Sequence, residues 1–66
     1  MPNRNMDVER IVGQFRRFGP VGPVYEVLGV VRSLDDYDAL LRVRIIETGE
    51  EAEYRYSHAV DDPKEN

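Results

Sequence analysis

The sequence contains no cysteine and only one histidine among its 66 residues. The absence of cysteine excludes disulfides, thiolate zinc sites and thiol nucleophiles. No stretch approaches the roughly 18 apolar residues of a membrane span. The N-terminal residues also lack the apolar run of a secretory signal. We therefore expect a cytoplasmic protein that makes no use of a membrane.

Acidic residues outnumber basic ones, and the formal net charge is −4. The excess lies in the second half of the chain. Residues 1–34 carry five arginines against three acids, whereas residues 35–66 carry three arginines and one lysine against ten acids. Because affinity for phosphates grows with the number of cations presented, this balance argues against a protein that coats nucleic acid. A local basic face remains compatible with it.

The chain is short enough to form a single domain with a marginal core. Pro2, Asn3 and Asn5 interrupt any apolar periodicity at the start, so residues 1–8 are predicted to be a flexible tail. Pro63 and its polar neighbours predict a second flexible tail over residues 63–66. The folded unit is then 9–62. With no covalent staples, a domain of this size is expected to gain stability by forming a homodimer.

Valine, isoleucine and aromatic residues dominate the apolar segments, which favours strands over helices. Four strands are predicted, near residues 10–18, 24–32, 39–47 and 51–57. The acidic segment 33–38 is interpreted as a loop, with room for one helical turn. Sequential strands usually pair, so the predicted fold is mainly β, a four-stranded antiparallel meander. Such a sheet either closes into a small open SH3-like barrel or is completed by dimerisation.

The last two strands are predicted to form a hairpin with Thr48 and Gly49 at its tip. That geometry places Arg44 opposite Glu53, an attractive pair, and Arg42 opposite Arg55, a repulsive one. The apolar face would then hold three cross-strand pairs: Ile45 with Ala52, Val43 with Tyr54, and Leu41 with Tyr56.

No arrangement of residues predicts catalysis, a cofactor or a metal site. A serine–histidine pair would have to combine His58 with Ser33 or Ser57. Ser57 is adjacent to His58, and adjacent strand residues point to opposite faces. Asp36 and Asp38 have a spacing compatible with Ca²⁺, but the glycine and the terminal glutamate of an EF-hand loop are missing. We therefore predict no enzyme activity, no catalytic residues, no cofactor and no bound metal.

Aromatic and arginine side chains are the best candidates for binding. Aromatic rings can stack on bases while arginines contact phosphates, and the same residue types anchor protein interfaces. The predicted interaction residues are Phe15, Arg16, Arg17, Phe18, Arg42, Arg44 and Arg55. Acidity favours a protein partner, either a second copy or another protein. The alternative function is that of a small β-barrel binding nucleic acid through its arginine and phenylalanine face.

Three segments carry a resemblance to a known family: residues 17–20 (RFGP), 22–28 (GPVYEVL) and 46–51 (IETGEE), followed by Tyr54. With these motifs the chain resembles a small uncharacterised bacterial family, one classified as a domain of unknown function. The resemblance covers about residues 9–63 and implies a compact single-domain bacterial protein without an established activity. Together with the composition, it leads us to expect a non-enzymatic interaction or accessory protein, with an antitoxin-like role as one form of it.

Overall fold

A computed structural model describes residues 8–35 and 37–65. Its elements are β1 (Phe15–Arg17), β2 (Val24–Asp35), β3 (Asp38–Ile45), β4 (Glu51–Arg55), the short helix α1 (Tyr56–Ala59) and β5 (Lys64–Glu65). The strands form one antiparallel sheet in the order β4-β3-β2-β1-β5. The prediction of a mainly β antiparallel meander is confirmed. The sheet is open, with β4 and β5 at opposite edges, so the barrel alternative is wrong.

The fifth strand lies in the segment that was predicted to be a C-terminal tail. Lys64 pairs with Arg16, and Glu65 pairs with Phe15. The carbonyl of Pro63 accepts a 3.0 Å hydrogen bond from the Arg17 amide. The sequence offers no strand signal there, because the pairing depends on the exposed edge of β1 and not on apolar residues. Asn66 lies outside the described residues.

The start of the chain also departs from the expected strand over 10–18. Val8 and Glu9 are helical and lead into a turn through Gly13, whose φ of 91° is left-handed. Ile11 is buried within this turn, so its burial follows from a helical turn and not from strand alternation. Val8 also belongs to the core, although the predicted domain began at residue 9. The rest of the predicted N-terminal tail, residues 1–7, lies outside the described residues.

One face of the sheet carries the core. Its largest fully buried side chains are Tyr25, Val27, Leu41 and Val43. The N-terminal turn covers them with Val8 and Ile11, and α1 covers them with Ala59. Packing these short segments over one face removes apolar surface from water without a second sheet.

The β3–β4 hairpin forms, but its register differs by two residues from the prediction. Four residues, 46–49, separate Ile45 from Glu50, and Gly49 adopts a φ of 78°. The Gly49 amide donates to the carbonyl of Ile45 at 2.7 Å. The predicted two-residue tip at Thr48 and Gly49 is therefore wrong, and Tyr56 lies in α1 instead of opposite Leu41.

Charge pairing gives the physical reason for the observed register. Arg42 lies opposite Glu53, and Arg44 lies opposite Glu51. The predicted register would have placed Arg42 opposite Arg55, a repulsive pair. A shift of two residues keeps every side chain on its own face. Arg42 thereby exchanges a repulsive neighbour for Glu53, and Arg44 keeps an acidic one, Glu51 in place of Glu53.

The predicted loop over 33–38 is also wrong, because β2 and β3 continue through most of it. Asp35 pairs with Asp38, which leaves residues 36 and 37 to join the strands. Three register irregularities interrupt the pairing, at Leu28, Val31 and Leu34. Each inserts an extra residue on β2 and increases the local twist. The described part of the chain extends over 39 × 19 × 16 Å.

Candidate functional site

The two neighbouring arginines of β1 point to opposite faces of the sheet, and each forms hydrogen bonds with other residues of the protein. Arg16 lies opposite Tyr25 on the core face. Its Nη1 donates to the carbonyls of Ala59 at 3.2 Å and Asp62 at 2.9 Å, and its Nε and Nη2 donate to Gln14 Oε1. Arg16 thus ties β1 to the C-terminal segment.

On the opposite face, Arg17 donates to the carbonyl of Gly22 at 3.0 Å and pairs with Glu65 at 3.3 Å. The two phenylalanines predicted to flank these arginines are separated as well. Phe15 is 40% exposed, whereas Phe18 packs against the core. The structure therefore does not assemble residues 15–18 into one continuous binding patch.

The other three predicted arginines lie on the polar side of the sheet, each beside a carboxylate. Arg44 contacts Glu26 at 3.1 Å, and Arg55 contacts Asp38 at 3.1 Å. Arg42 lies 3.8 Å from both Glu51 and Glu53. Such exposed pairs contribute little to stability, about 0–1 kcal/mol each. They do offset the positive charge that a phosphate backbone would need.

A cluster of two tyrosines and one aspartate lies where the C-terminal segment meets the sheet. The hydroxyls of Tyr25 and Tyr54 both donate to Asp62 Oδ2, at 2.8 and 2.9 Å. The amide of Gly19 donates to Asp62 Oδ1 at 3.2 Å. Phe18 completes the cluster, with its ring centroid 4.2 Å from that of Tyr25 and 5.0 Å from that of Tyr54. We call these four side chains the tyrosine–aspartate cluster.

Both tyrosines of the cluster are held in their protonated form. Burial, followed by the hydrogen bond to Asp62 and its negative charge, raises the pKa of Tyr25 far above its ordinary value. The same causes raise the pKa of Tyr54 to about 12. A phenol that resists ionisation is a poor nucleophile or base near neutral pH. The cluster is therefore suited to holding the C-terminal segment in place.

Asp38 forms a second polar centre, at the start of α1. Its Oδ1 accepts hydrogen bonds from the amides of Ser57 and Ala39, and its Oδ2 accepts from the Ser57 hydroxyl and from Arg55. Burial tends to raise the pKa of this carboxyl, but the hydrogen bonds from Ser57, Ala39 and Arg55 outweigh it and lower the pKa to about 2. Ser57 therefore directs its hydroxyl to Asp38, while His58 contacts the ring of Tyr54.

Two further findings concern membranes and metals. In residues 8–35 and 37–65, no helix combines the length and apolar character that a bilayer crossing requires. Within the same residues, His, Asp and Glu side chains do not gather in threes around a point where a metal ion could be held. Asp36, half of the considered Ca²⁺ pair, lies outside the described residues.

β2 has a long free edge within the described sheet. β1 pairs with β2 only as far as Glu26. At Val27, the carbonyl accepts from the Gly13 amide and the amide donates to the Gln14 carbonyl, which extends the contact by one residue. From residue 28 to residue 35, no described strand pairs with the side of β2 that faces away from β3. We call this side of residues 28–35 the outer edge of β2.

Exposed side chains accompany the outer edge. Val31 is 39% exposed, and Tyr37, in the turn that follows, is 71% exposed. Arg32 and Asp35 are also exposed. Sequence reasoning missed this region because it ended the strand at residue 32 and interpreted the acidic residues as loop. The signal that could have revealed it is the Val30-Val31 pair, which carries strand character up to the predicted loop.

Comparison with known proteins gives a family but no activity. Residues 2–66 match the family of unknown function DUF5397. An uncharacterised protein from Haemophilus influenzae is 36% identical over 52 residues, which span 79% of this chain and 82% of that protein. The resemblance noted from the sequence is thereby confirmed. The chain belongs to the DUF5397 family.

Proposed function

We propose that this protein acts by association and not by catalysis, as a homodimer formed through the outer edge of β2. The observation that carries the proposal is the run of eight β2 residues, 28–35, with no described strand beside it. Unpaired backbone donors and acceptors on a strand edge readily pair with a strand from another chain. The exposed Val31 beside this edge adds apolar surface for a partner to cover.

Charge favours a second copy as the partner. In a two-fold antiparallel pairing with its axis between Ser33 and Leu34, Arg32 of each copy lies opposite Asp35 of the other. The two attractive pairs form symmetrically, because a two-fold interface repeats every contact.

Charge reversal tests this arrangement. Sedimentation of the wild-type chain over a dilution series is expected to show a monomer–dimer equilibrium. Arg32→Glu alone and Asp35→Arg alone each create two repulsive contacts and weaken the dimer. Mixing the two variants, or combining both changes in one chain, restores attraction and is expected to restore the dimer.

The control is Lys64→Glu, a charge reversal on β5, which pairs with β1 and not with residues 28–35; it is expected to leave the dimer unchanged. A wild-type chain that stays monomeric at every concentration would overturn the proposal. So would single variants that dimerise as well as the wild type. Circular dichroism checks that each variant keeps the sheet.

Binding to nucleic acid stays a prediction, and the contacts of the described arginines favour protein association over it. Four arginines have carboxylate partners: Arg17, Arg42, Arg44 and Arg55. Retention on a DNA or RNA column that falls steeply with salt would favour the nucleic-acid function instead. The cytoplasmic location and the antitoxin-like role also remain predictions.

A further inference from the structure

An open pocket of about 340 Å³ lies between the N-terminal turn and α1. Its lining residues are Arg10, Ile11, Gln14, Arg16, Tyr56 and Val60. The volume is near the lower end of the range for small-molecule sites, about 300–1,000 Å³. Arg16 reaches it from the core face of β1, and none of its lining residues belongs to the outer edge of β2, so the pocket is separate from the proposed dimer interface.

The pocket lining is positively charged in a chain whose net charge is −4. Arg10 and Arg16 both contribute to it, and neither forms an ion pair with a described residue. The hydrogen-bond partners of the Arg16 guanidinium are the Gln14 amide and two main-chain carbonyls, all uncharged. No described aspartate or glutamate lines the pocket. An anion placed there would face two positive charges that no lining carboxylate offsets.

Two further groups define which anion fits. The Tyr56 hydroxyl has no hydrogen-bond partner among the described residues, so it can donate to a ligand. Val60, which is 43% exposed, supplies apolar surface, whereas Ile11 is almost fully buried beneath the pocket lining. An arginine guanidinium matches the planar, two-oxygen geometry of a carboxylate, and the exposed Val60 side chain favours a ligand that also carries an apolar group.

We propose that this pocket binds a small organic carboxylate with an apolar body. Arg10 holds the carboxylate, Tyr56 donates a hydrogen bond to it, and Val60 contacts the hydrocarbon portion. Arg16 remains on its carbonyl partners and contributes charge without moving. The same chemistry is offered by a free organic acid and by the C-terminal carboxylate of a peptide.

Nuclear magnetic resonance titration of the full chain tests the site with benzoate, the neutral isostere benzamide, inorganic phosphate and N-acetylphenylalanine. Benzoate is expected to shift the amide signals of Arg10, Ile11, Tyr56 and Val60, while benzamide and phosphate shift them far less. Tighter binding of N-acetylphenylalanine than of benzoate would assign the site to peptide C-termini, and the reverse order would assign it to free acids.

Variants then test the assigned roles. Arg10→Gln is expected to weaken benzoate binding by about tenfold, as for other charge-assisted contacts. Tyr56→Phe keeps the ring and is expected to weaken binding by about threefold, in line with loss of one neutral hydrogen bond. Arg42→Gln, on the polar side of the sheet, is the control and leaves binding unchanged. Equal responses to benzoate, benzamide and phosphate, or full binding by Arg10→Gln, would overturn the proposal.

Discussion

Tyr25 and Asp62 are 37 residues apart in sequence, and a 2.8 Å hydrogen bond joins them in the fold. Tyr25 is fully buried in the core, whereas Asp62 lies in the segment between α1 and β5. Since Tyr54 donates to the same Asp62 oxygen, one carboxylate connects β2, β4 and the C-terminal segment. The tyrosine–aspartate cluster thus fixes the C-terminal segment to the sheet in a chain that has no disulfide.

Replacing Asp62 by asparagine is expected to destabilise the fold. An amide oxygen is a weaker acceptor than a carboxylate for two phenol hydroxyls, so we expect a loss of about 1–3 kcal/mol in the free energy of unfolding. Urea denaturation measures the change. The neighbouring exposed Asp61→Asn serves as the control and is expected to stay within about 0.5 kcal/mol of the wild type. Equal stability of the two variants would contradict a structural role for the cluster.

The two tyrosines also predict a loss of stability in alkali. Their pKa values are raised in the folded chain, so the unfolded state releases protons first as the pH rises. The stabilisation they give is complete below the unfolded value near 10 and is lost as the pH rises through the folded values. Tyr54→Phe removes the contribution of Tyr54 to the pH dependence of the free energy of unfolding. Absorbance at 295 nm, as wild type minus variant, should show an ionisation step at about pH 12.

Asp38 predicts the opposite dependence, in acid. Its pKa is lowered to about 2 in the folded chain, so the unfolded state binds a proton first as the pH falls. The stabilisation is complete above the unfolded value near 4 and is lost as the pH falls through the folded value. Thermal unfolding between pH 2 and pH 5 should show a steeper decline for the wild type than for Asp38→Asn. If both chains declined in parallel, the hydrogen bonds to Ser57 and Arg55 would not be stabilising the carboxylate.

Local sequence patterns predicted the two central strands, β2 and β3, because their buried positions are occupied by apolar and aromatic residues. Tyr25, Val27, Leu41 and Val43 are fully buried at the centre of the sheet, in the segments with the densest β-branched and aromatic content. The hairpin register was harder to predict, because two turns of different length keep the same apolar face. The interaction of Arg42 with the residue opposite it decides between the two registers, because that residue is Glu53 in the observed register and would be Arg55 in the predicted one.

The polar centres could not be predicted in the same way. Asp62 meets Tyr25 and Tyr54 only after the chain has folded, and no local spacing indicates such a contact. The contacts of the arginine-rich segment could not be predicted for a related reason. Arg16 was predicted as an interaction residue, and in the fold the C-terminal segment occupies one of its donor groups with main-chain carbonyls. β5 was not predicted for the same reason: it pairs with β1, which is distant in sequence and lies beside it only in the folded chain.

Two glycines offer a direct test of the packing around Phe18. A methyl group added at Gly22 would lie 2.0 Å from the carbonyl oxygen of Phe18, and this backbone atom has little freedom to move. Gly22→Ala is therefore expected to cost about 1–3 kcal/mol, as other overpacked substitutions do. Gly29, in β2, has open space around the same position, and its φ is not positive. Gly29→Ala is expected to be neutral or to stabilise by up to about 1 kcal/mol, because alanine restricts the unfolded chain. Urea denaturation of both variants gives the comparison, and a Gly22→Ala chain as stable as Gly29→Ala would show that the turn before β2 can relax away from Phe18.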